Sequence, residues 1–125
     1  MAPASLTPVV SLETAKEYLR VDSADEDALI GILLKSAEQL VMDVARLSTS
    51  QWTTIQKVTT DDDGNVLTIH TGKMKPAEII QTRELLRIAI LYTVGYLYEH
   101  REEADHHDLT ITLRNLLFAI REGVV

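Results

Sequence analysis

Cysteine is absent from the sequence, and so are long apolar runs. Without cysteine there is no disulfide, no thiolate metal site and no cysteine nucleophile. No apolar run reaches the roughly 18 to 20 residues that a membrane span needs, because Lys35 and Glu38 interrupt one run and Arg83 and Glu84 interrupt another. Residues 1–10 contain no lysine or arginine and lack the features of a secretion signal. We therefore expect a protein that stays where it is made and does not enter a membrane.

Basic residues are scarce as well. Twelve lysines and arginines stand against nineteen acidic residues, which gives a formal net charge of −7. Nucleic-acid binding that ignores sequence requires the opposite charge, so tight binding of DNA or RNA by this chain alone is not expected. An acidic lining would suit a ring through which DNA slides, although surplus carboxylates also simply keep proteins in solution.

The pattern of apolar residues predicts a mainly α fold. A chain of 125 residues with 46% hydrophobic and 25% charged residues has the composition of one globular domain, which we expect to span residues 1–125 with a flexible N-terminus at residues 1–10. Apolar residues recur at helical spacing in two long and two short segments and predict a bundle of about four helices. The predicted helices are residues 12–20, 24–47, 77–103 and 110–122.

Polar residues at the predicted helix starts support these boundaries. Ser11 suits the N-cap of the first helix, Ser23 and Glu26 have the spacing of a capping box for the second, and Pro76 suits the first turn of the third. From Arg87 onward the third helix is apolar nearly all round. Such a helix is expected to make contacts on more than one side, and a subunit interface would supply them.

Residues 52–71, between the two long helices, predict an inserted β-hairpin. β-branched residues dominate both halves of this segment, and the run Asp61-Asp62-Asp63-Gly64-Asn65 between them is typical of a turn. A lone hairpin is marginally stable in water, so this one is expected to pack on the helices or on a neighbouring subunit.

Two groups of polar residues invite a metal-site interpretation, and neither supports it. His100, His106 and His107 lie among acidic residues, but their spacing matches no established zinc-ligand pattern and fits the polar end of a helix. An EF-hand loop aligned on Gly64 would place His70 where a bidentate glutamate belongs. We therefore predict no metal ion.

No arrangement typical of catalysis or of cofactor binding is present either. The sequence has no Gly-rich phosphate loop and no Gly-x-Ser-x-Gly motif. Asp25 and Asp27 lie where acidic residues favour a helix start. Tyr92, Tyr96 and Tyr98 lie in a helix with few cations, where aromatic residues more often belong to a core or an interface than to a base-stacking surface. The predicted protein is not an enzyme and needs no cofactor.

Three sequence blocks resemble one known family. The first block is LETAKEYLRVD at 12–22 with EDALI at 26–30, the second is YLYEHRE at 96–102, and the third is LLFAIR at 116–121. In order and spacing they resemble the head-tail connector (adaptor) family of tailed double-stranded DNA bacteriophages. Together the blocks frame almost the whole chain.

The resemblance implies a structural virion protein without catalytic turnover. Such a protein is made in the bacterial cytoplasm and lies at the head-tail junction of the virion, as a ring homo-oligomer that is dodecameric on the portal. The ring would extend the DNA channel, bind the portal protein and a tail-side completion protein, and let DNA pass without sequence-specific binding. The resemblance also implies a portal-facing C-terminal segment. Phe118 lies opposite the apolar stripe of the last helix and would need a partner, so we expect Leu117 and Phe118 to be apolar anchors and Arg121 the charged contact, unless this helix simply completes the core.

Two other functions remain open at the level of sequence. The first is a small helical regulatory or DNA-associated module of a phage or prophage. Such a module should carry a basic recognition helix, whereas the C-terminal helix has only Arg114 and Arg121 as cations. The second is a metal-dependent enzyme built on the cluster between His100 and Asp108.

Overall fold

The computed structural model describes residues 8–56, 58–60, 66–69, 75–100 and 106–121. Within these ranges the chain forms six helices and two short strands, so the prediction of a mainly α fold is confirmed. In chain order the elements are α1 (Leu12–Leu19), α2 (Asp27–Ala45), α3 (Thr49–Gln56), β1 (Val58–Thr60), β2 (Val66–Ile69), α4 (Pro76–Glu99), α5 (His107–Leu116) and α6 (Phe118–Arg121).

The two long helices, α2 and α4, form the centre of the fold and make its most extensive contact. Each buries one stripe of side chains spaced three or four residues apart, as expected for helices that pack along one face. The buried residues of α2 are Ile30, Leu34, Ala37, Val41 and Ala45. Leu86, Ala89, Ile90 and Val94 of α4 belong to the same apolar cluster. Helices α1 and α5 pack against both long helices and add Ala15, Leu109 and Leu113 to this core.

Helix α1 starts at the predicted residue. The Ser11 side chain accepts a hydrogen bond from the Thr14 backbone N–H at 3.1 Å, as an N-cap should. The helix ends one residue before the predicted boundary, because Arg20 adopts a left-handed conformation with φ 59°. The Val21 N–H then bonds to the Lys16 carbonyl at 2.9 Å, which completes a Schellman motif.

Helix α2 begins and ends inside its predicted range of residues 24–47. The predicted capping box is wrong: Glu26, not Ser23, is the N-cap residue, and its side chain makes no capping hydrogen bond. The Glu26 carboxylate instead accepts a hydrogen bond from the Tyr98 hydroxyl at 2.5 Å. At the other end Arg46 is left-handed with φ 58°, which ends the helix at Ala45.

Helix α3 corrects the prediction that residues 52–71 form a β-hairpin throughout. A capping box starts this helix: the Gln51 N–H donates to Ser48 Oγ at 3.1 Å, and the Ser48 N–H donates to Gln51 Oε1 at 2.9 Å. The Thr53 hydroxyl donates to the carbonyl one turn earlier at 2.9 Å, and Ile55 is buried in the core. Capping and burial thus outweigh the β preference of the threonines.

The remainder of that segment contains strands. β1 and β2 pair antiparallel, with Val58 opposite Ile69 and Thr60 opposite Val66, and the register shifts between Thr59 and Thr60. Val58 is buried. The predicted turn at Asp63-Gly64 lies outside the described residues and stays a prediction.

Helix α4 starts at Pro76, one residue before the predicted range, with the proline in its first turn as expected, and ends at Glu99 rather than at residue 103. His100 ends it with φ −119°. The His100 N–H donates to the Tyr96 carbonyl at 2.9 Å, and its Nδ1 lies 2.9 Å from the same oxygen. The backbone of His100 has left the helical region, so the last helical residue is Glu99. Residues 101–105 lie outside the described ranges.

The predicted C-terminal helix, residues 110–122, starts earlier and is divided. Helix α5 begins at His107, and Leu117 separates it from α6 with φ −99° and ψ 11°. The Leu117 N–H still donates to the Leu113 carbonyl at 2.8 Å, so the division is slight. Leu117 is fully buried, which explains why the backbone adjusts at this residue.

The start of the described chain, at residues 8–10, packs into the core, and the rest of the predicted flexible terminus lies outside the described residues. Val9 and Val10 are buried in the main apolar cluster. Arg83 of α4 is buried as well, and its Nη2 donates to the Pro8 carbonyl at 3.3 Å. Its Nη1 donates to the Ile55 carbonyl at 2.9 Å. One guanidinium therefore joins the N-terminal segment, α3 and α4.

Candidate functional site

The candidate site is a set of surfaces that carry exposed apolar side chains. These side chains do not contribute to the core, so packing of the fold does not account for them. Within the described residues seven such side chains are exposed. They are Tyr18, Ile32, Ile80, Ile88, Tyr92, Ile111 and Phe118. A monomer tolerates single exposed apolar residues, whereas groups of them mark contact sites.

The outer face of α4, defined here by Glu84, Ile88 and Tyr92, carries two of these side chains. Ile88 lies midway between the buried residues Leu86 and Ile90, and is 57% exposed. With about 100° of rotation per residue, a side chain two positions from both neighbours points away from the core. Tyr92 follows one turn later and is exposed too. The sequence-based expectation of contacts on a second side of this helix falls on this face.

The outer face of α2, defined here by Ile32, Lys35 and Ser36, has the same construction. Ile32 lies midway between the buried residues Ile30 and Leu34, and is 64% exposed. Sequence reasoning missed Ile32 as a contact residue. The signal was available, because an isoleucine off the buried stripe of an amphipathic helix has no partner in the core.

A groove continues the outer face of α4 toward α1. Its volume is about 480 Å³, and its lining includes Tyr18, Arg20, Tyr92 and Gly95. Gly95 lets the two helices approach, since a Cβ atom built on it would lie 2.9 Å from Tyr18 Cε2. Tyr18 and Tyr92 of the groove lining are both exposed.

The remaining tyrosines of α4 hold helix ends together, in line with the prediction that they belong to core or interface. The Tyr98 hydroxyl reaches Glu26 at the start of α2. The Tyr96 ring stacks on the His100 ring, with centroids 4.2 Å apart, and meets the His106 ring edge-on at 5.7 Å. These histidines thus join the end of α4 to the start of α5.

Two acidic residues at the start of α2 also serve packing. Asp27 pairs with Lys16 of α1 at 2.7 Å, and Glu26 accepts from Tyr98. Both contacts link α2 to another helix, whereas the sequence suggested that the acidic group acts on the helix start alone. Asp25 is exposed.

The predicted docking residues in the C-terminal segment occupy different environments. Leu117 is fully buried and belongs to the core, so it cannot be an exposed anchor in this fold. Phe118 is 58% exposed. Ile111 of α5 is exposed as well. Arg121 ends α6, and its side chain lies outside the described part of the structure.

Two buried or half-buried charges have shifted pKa values. Burial lowers the pKa of Arg83, and the nearby charge of Arg87 lowers it further. Burial also raises the pKa of Glu38, and Lys35 partly opposes that shift. Arg83 already donates to two backbone carbonyls, and Glu38 lies on α2 beside the buried Ala37. Arg83 therefore belongs to the packing of the fold, whereas Glu38 is half-buried at the side of α2.

Among the described residues no group of three or more histidine, aspartate or glutamate side chains is placed to hold a metal ion. No helix within the described ranges is long and apolar enough to cross a membrane.

Comparison with known proteins gives one match. The sequence matches the family model described as phage gp6-like head-tail connector protein over residues 9–123. No curated protein and no solved structure matches the chain. The matched residues include every helix and strand described above, and the family is the one that the three sequence blocks resembled. The chain belongs to the phage gp6-like head-tail connector family.

Proposed function

We propose that this protein forms a ring of identical subunits between the portal and the tail of a phage particle, and that the ring extends the channel through which DNA passes. Membership of the connector family makes it a structural protein of virion assembly at the head-tail junction, where it interacts with portal and tail components. The family is one of structural proteins and not one of enzymes. The ring, its twelve subunits on the portal and the passage of DNA are our proposal.

The observation that carries the proposal is the exposure of apolar side chains on several separate faces of one small domain. Ile32, Ile88 and Phe118 are each more than half exposed. A closed ring on a portal needs this arrangement, since each subunit must contact two neighbours and the portal at the same time. The net charge of −7 suits a channel that DNA crosses without binding.

Negative-stain microscopy of the purified protein, alone and mixed with the cognate portal, tests the ring directly. We expect monomers or loose associations in dilute solution and closed rings at high concentration or on the portal, because copies with like charge repel and association costs entropy. Light scattering at low and high salt follows the same transition. A stable two-fold dimer at every concentration would contradict the ring.

The C-terminal segment is the proposed portal contact, with Phe118 as the apolar anchor and Arg121 as the charged contact. Phe118 is exposed while its neighbour Leu117 is fully buried, so anchor and core residue can be separated by mutation. Aromatic and arginine side chains often dominate the energy of an interface. An exposed aromatic ring and an arginine three residues later, on one short segment, suit such a contact.

Co-sedimentation with portal rings tests this contact. Phe118→Ala combined with Arg121→Ala should abolish co-sedimentation and leave the thermal midpoint nearly unchanged. Ile80→Ala combined with Arg87→Ala is the matched control, because it removes one isoleucine and one arginine, both exposed, from α4 and should co-sediment normally. If the Phe118 and Arg121 double variant unfolds, or binds the portal like the control, this segment is not the docking element.

A further inference from the structure

We infer that neighbouring subunits meet through the outer face of α2 on one copy and the outer face of α4 on the next. The inference rests on the proposed ring and names the surfaces that would build it. It starts from Ile32 and Ile88, which are 64% and 57% exposed.

The two outer faces point in opposite directions. Helices α2 and α4 pack on each other through their buried stripes. Ile32 lies midway between two residues of one stripe, and Ile88 midway between two residues of the other. Each isoleucine therefore points about 180° away from the α2–α4 contact. A subunit with two different contact faces on opposite sides can join copies head to tail, which is the arrangement that generates a ring.

The two isoleucines also lie at similar heights along the helix pair. The Tyr98–Glu26 hydrogen bond places the end of α4 beside the start of α2, so the helices run antiparallel. Measured from this contact, Ile32 lies about 9 Å along α2 and Ile88 about 15 Å along α4, at 1.5 Å per residue. The difference is about one helical turn. The two outer faces therefore overlap along the helix pair, so that neighbouring copies can meet side by side.

The charges beside the two isoleucines are opposite. Lys35 is exposed on α2 one turn after Ile32, and Glu84 is exposed on α4 one turn before Ile88. Arg87 is exposed too, but it lies about 100° round the helix from Ile88. When Ile32 of one copy meets Ile88 of the next, Lys35 and Glu84 can approach each other at the edge of the contact. This complementarity identifies the partner as a second copy of this chain.

Two single substitutions test the inference, Ile32→Glu and Ile88→Glu. Glutamate keeps helix propensity and places a charge in the centre of the proposed contact, where its desolvation is unfavourable. Each variant should self-associate at least about tenfold more weakly than the wild type in analytical ultracentrifugation. Ile111→Glu, a change of an exposed isoleucine on α5, is the matched control and should self-associate normally. Circular dichroism checks that all three variants are folded.

A mixture of the two variants gives the sharpest result. The Ile32→Glu chain keeps an intact outer face on α4, and the Ile88→Glu chain keeps an intact outer face on α2. The mixture should therefore form a 1:1 dimer and nothing larger. The double charge exchange, Lys35→Glu with Glu84→Lys, should restore association that either exchange alone weakens.

The outcomes separate this inference from the proposed function. Association of the wild type, its loss in both variants and a 1:1 dimer in the mixture support the inference. If the wild type forms rings and either variant forms them equally well, the assignment of these faces is wrong and the ring stands. If the wild type forms no ring at high concentration or on the portal, the proposed function fails, and this inference fails with it.

Discussion

Ile88 and Ile90 are two residues apart in the same helix, and their surroundings are opposite. Ile90 is fully buried in the main apolar cluster, whereas Ile88 is 57% exposed on the outer face of α4. Helix α2 repeats the contrast with Ile30 and Ile32. The same side chain thus stabilises the fold on one face of a helix and is available to a partner on the other. Hydrophobicity alone does not distinguish these roles, but position relative to the buried stripe does.

The greatest loss of stability is expected from a substitution on the buried face of α4. Ile90→Ala should lower the free energy of unfolding by about 2 to 5 kcal/mol, because it removes buried methyl groups and leaves a cavity in the core. Ile88→Ala is the control and should change it by less than about 0.5 kcal/mol, since the exposed side chain has little packing to lose. Urea denaturation of both variants measures the difference. Equal losses would mean that the outer face of α4 is also part of the folding core.

Arg83 tests whether a charged residue on the buried side of α4 also stabilises the fold. Arg83→Met keeps most of the aliphatic length but removes the hydrogen bonds to the carbonyls of Ile55 and Pro8. We expect a loss of about 1 to 3 kcal/mol, the cost of buried acceptors left without these donors. Arg87→Met, at an exposed position on the same helix, should cost far less. If both variants denature at the same urea concentration, the hydrogen bonds of the Arg83 guanidinium do not contribute to the free energy of unfolding.

The buried stripes were predictable from the sequence, and the ends of the helices were less so. The spacing of apolar residues located α1, α2 and α4, and Ser11 fixed the start of α1. Arg20 and Arg46 end their helices in a left-handed conformation. Glycine is the usual residue at such a position, so the sequence did not predict these two helix ends. Helix α3 was missed although Ser48 and Gln51 carry the capping-box spacing, since the threonines that follow favoured strand.

The residues of the candidate contact surfaces were also predictable only in part. The apolar surplus of α4 after Arg87 predicted a second contact face. Phe118 was expected to be exposed because it lies opposite the apolar stripe of the last helix, and it is exposed. Leu117 could not be assigned to core or surface from the sequence, because the division between α5 and α6 depends on how this segment packs. The partners of Arg83 come from segments 28 and 75 residues away in the chain. Contacts of that range follow from the tertiary fold and have no signature in local sequence.

A smaller change in the free energy of unfolding is expected at the end of α2, where it depends on the backbone conformation of Arg46 rather than on the burial of its side chain. Arg46 is exposed and left-handed with φ 58°, a conformation that is unfavourable for residues with a Cβ atom. Arg46→Gly should raise the free energy of unfolding by about 0.5 to 1 kcal/mol relative to Arg46→Ala, because glycine adopts this conformation without steric cost. Alanine is the matched control, since both changes remove the charge near the helix end. Thermal unfolding that ranks alanine equal to or above glycine would exclude conformational strain at this position.

The smallest effect concerns Glu38, which lies at the margin between the buried and outer sides of α2. Burial raises the pKa of Glu38 above its ordinary value of 4.5, against the opposing charge of Lys35. The folded state therefore holds this proton more tightly than the unfolded chain does. Its contribution to stability is complete below the unfolded pKa and is lost as pH rises through the higher folded pKa.

Glu38→Gln removes this dependence, because glutamine stays neutral at every pH. The stability of the variant relative to the wild type should increase between pH 4 and pH 7, by less than the Arg46→Gly effect, since water screens a half-buried side chain. Urea denaturation at several pH values measures the trend, with Glu84→Gln at an exposed position as the control. A difference that stays constant or falls with rising pH would show that burial does not govern Glu38, and that the packed side of α2 ends before this residue.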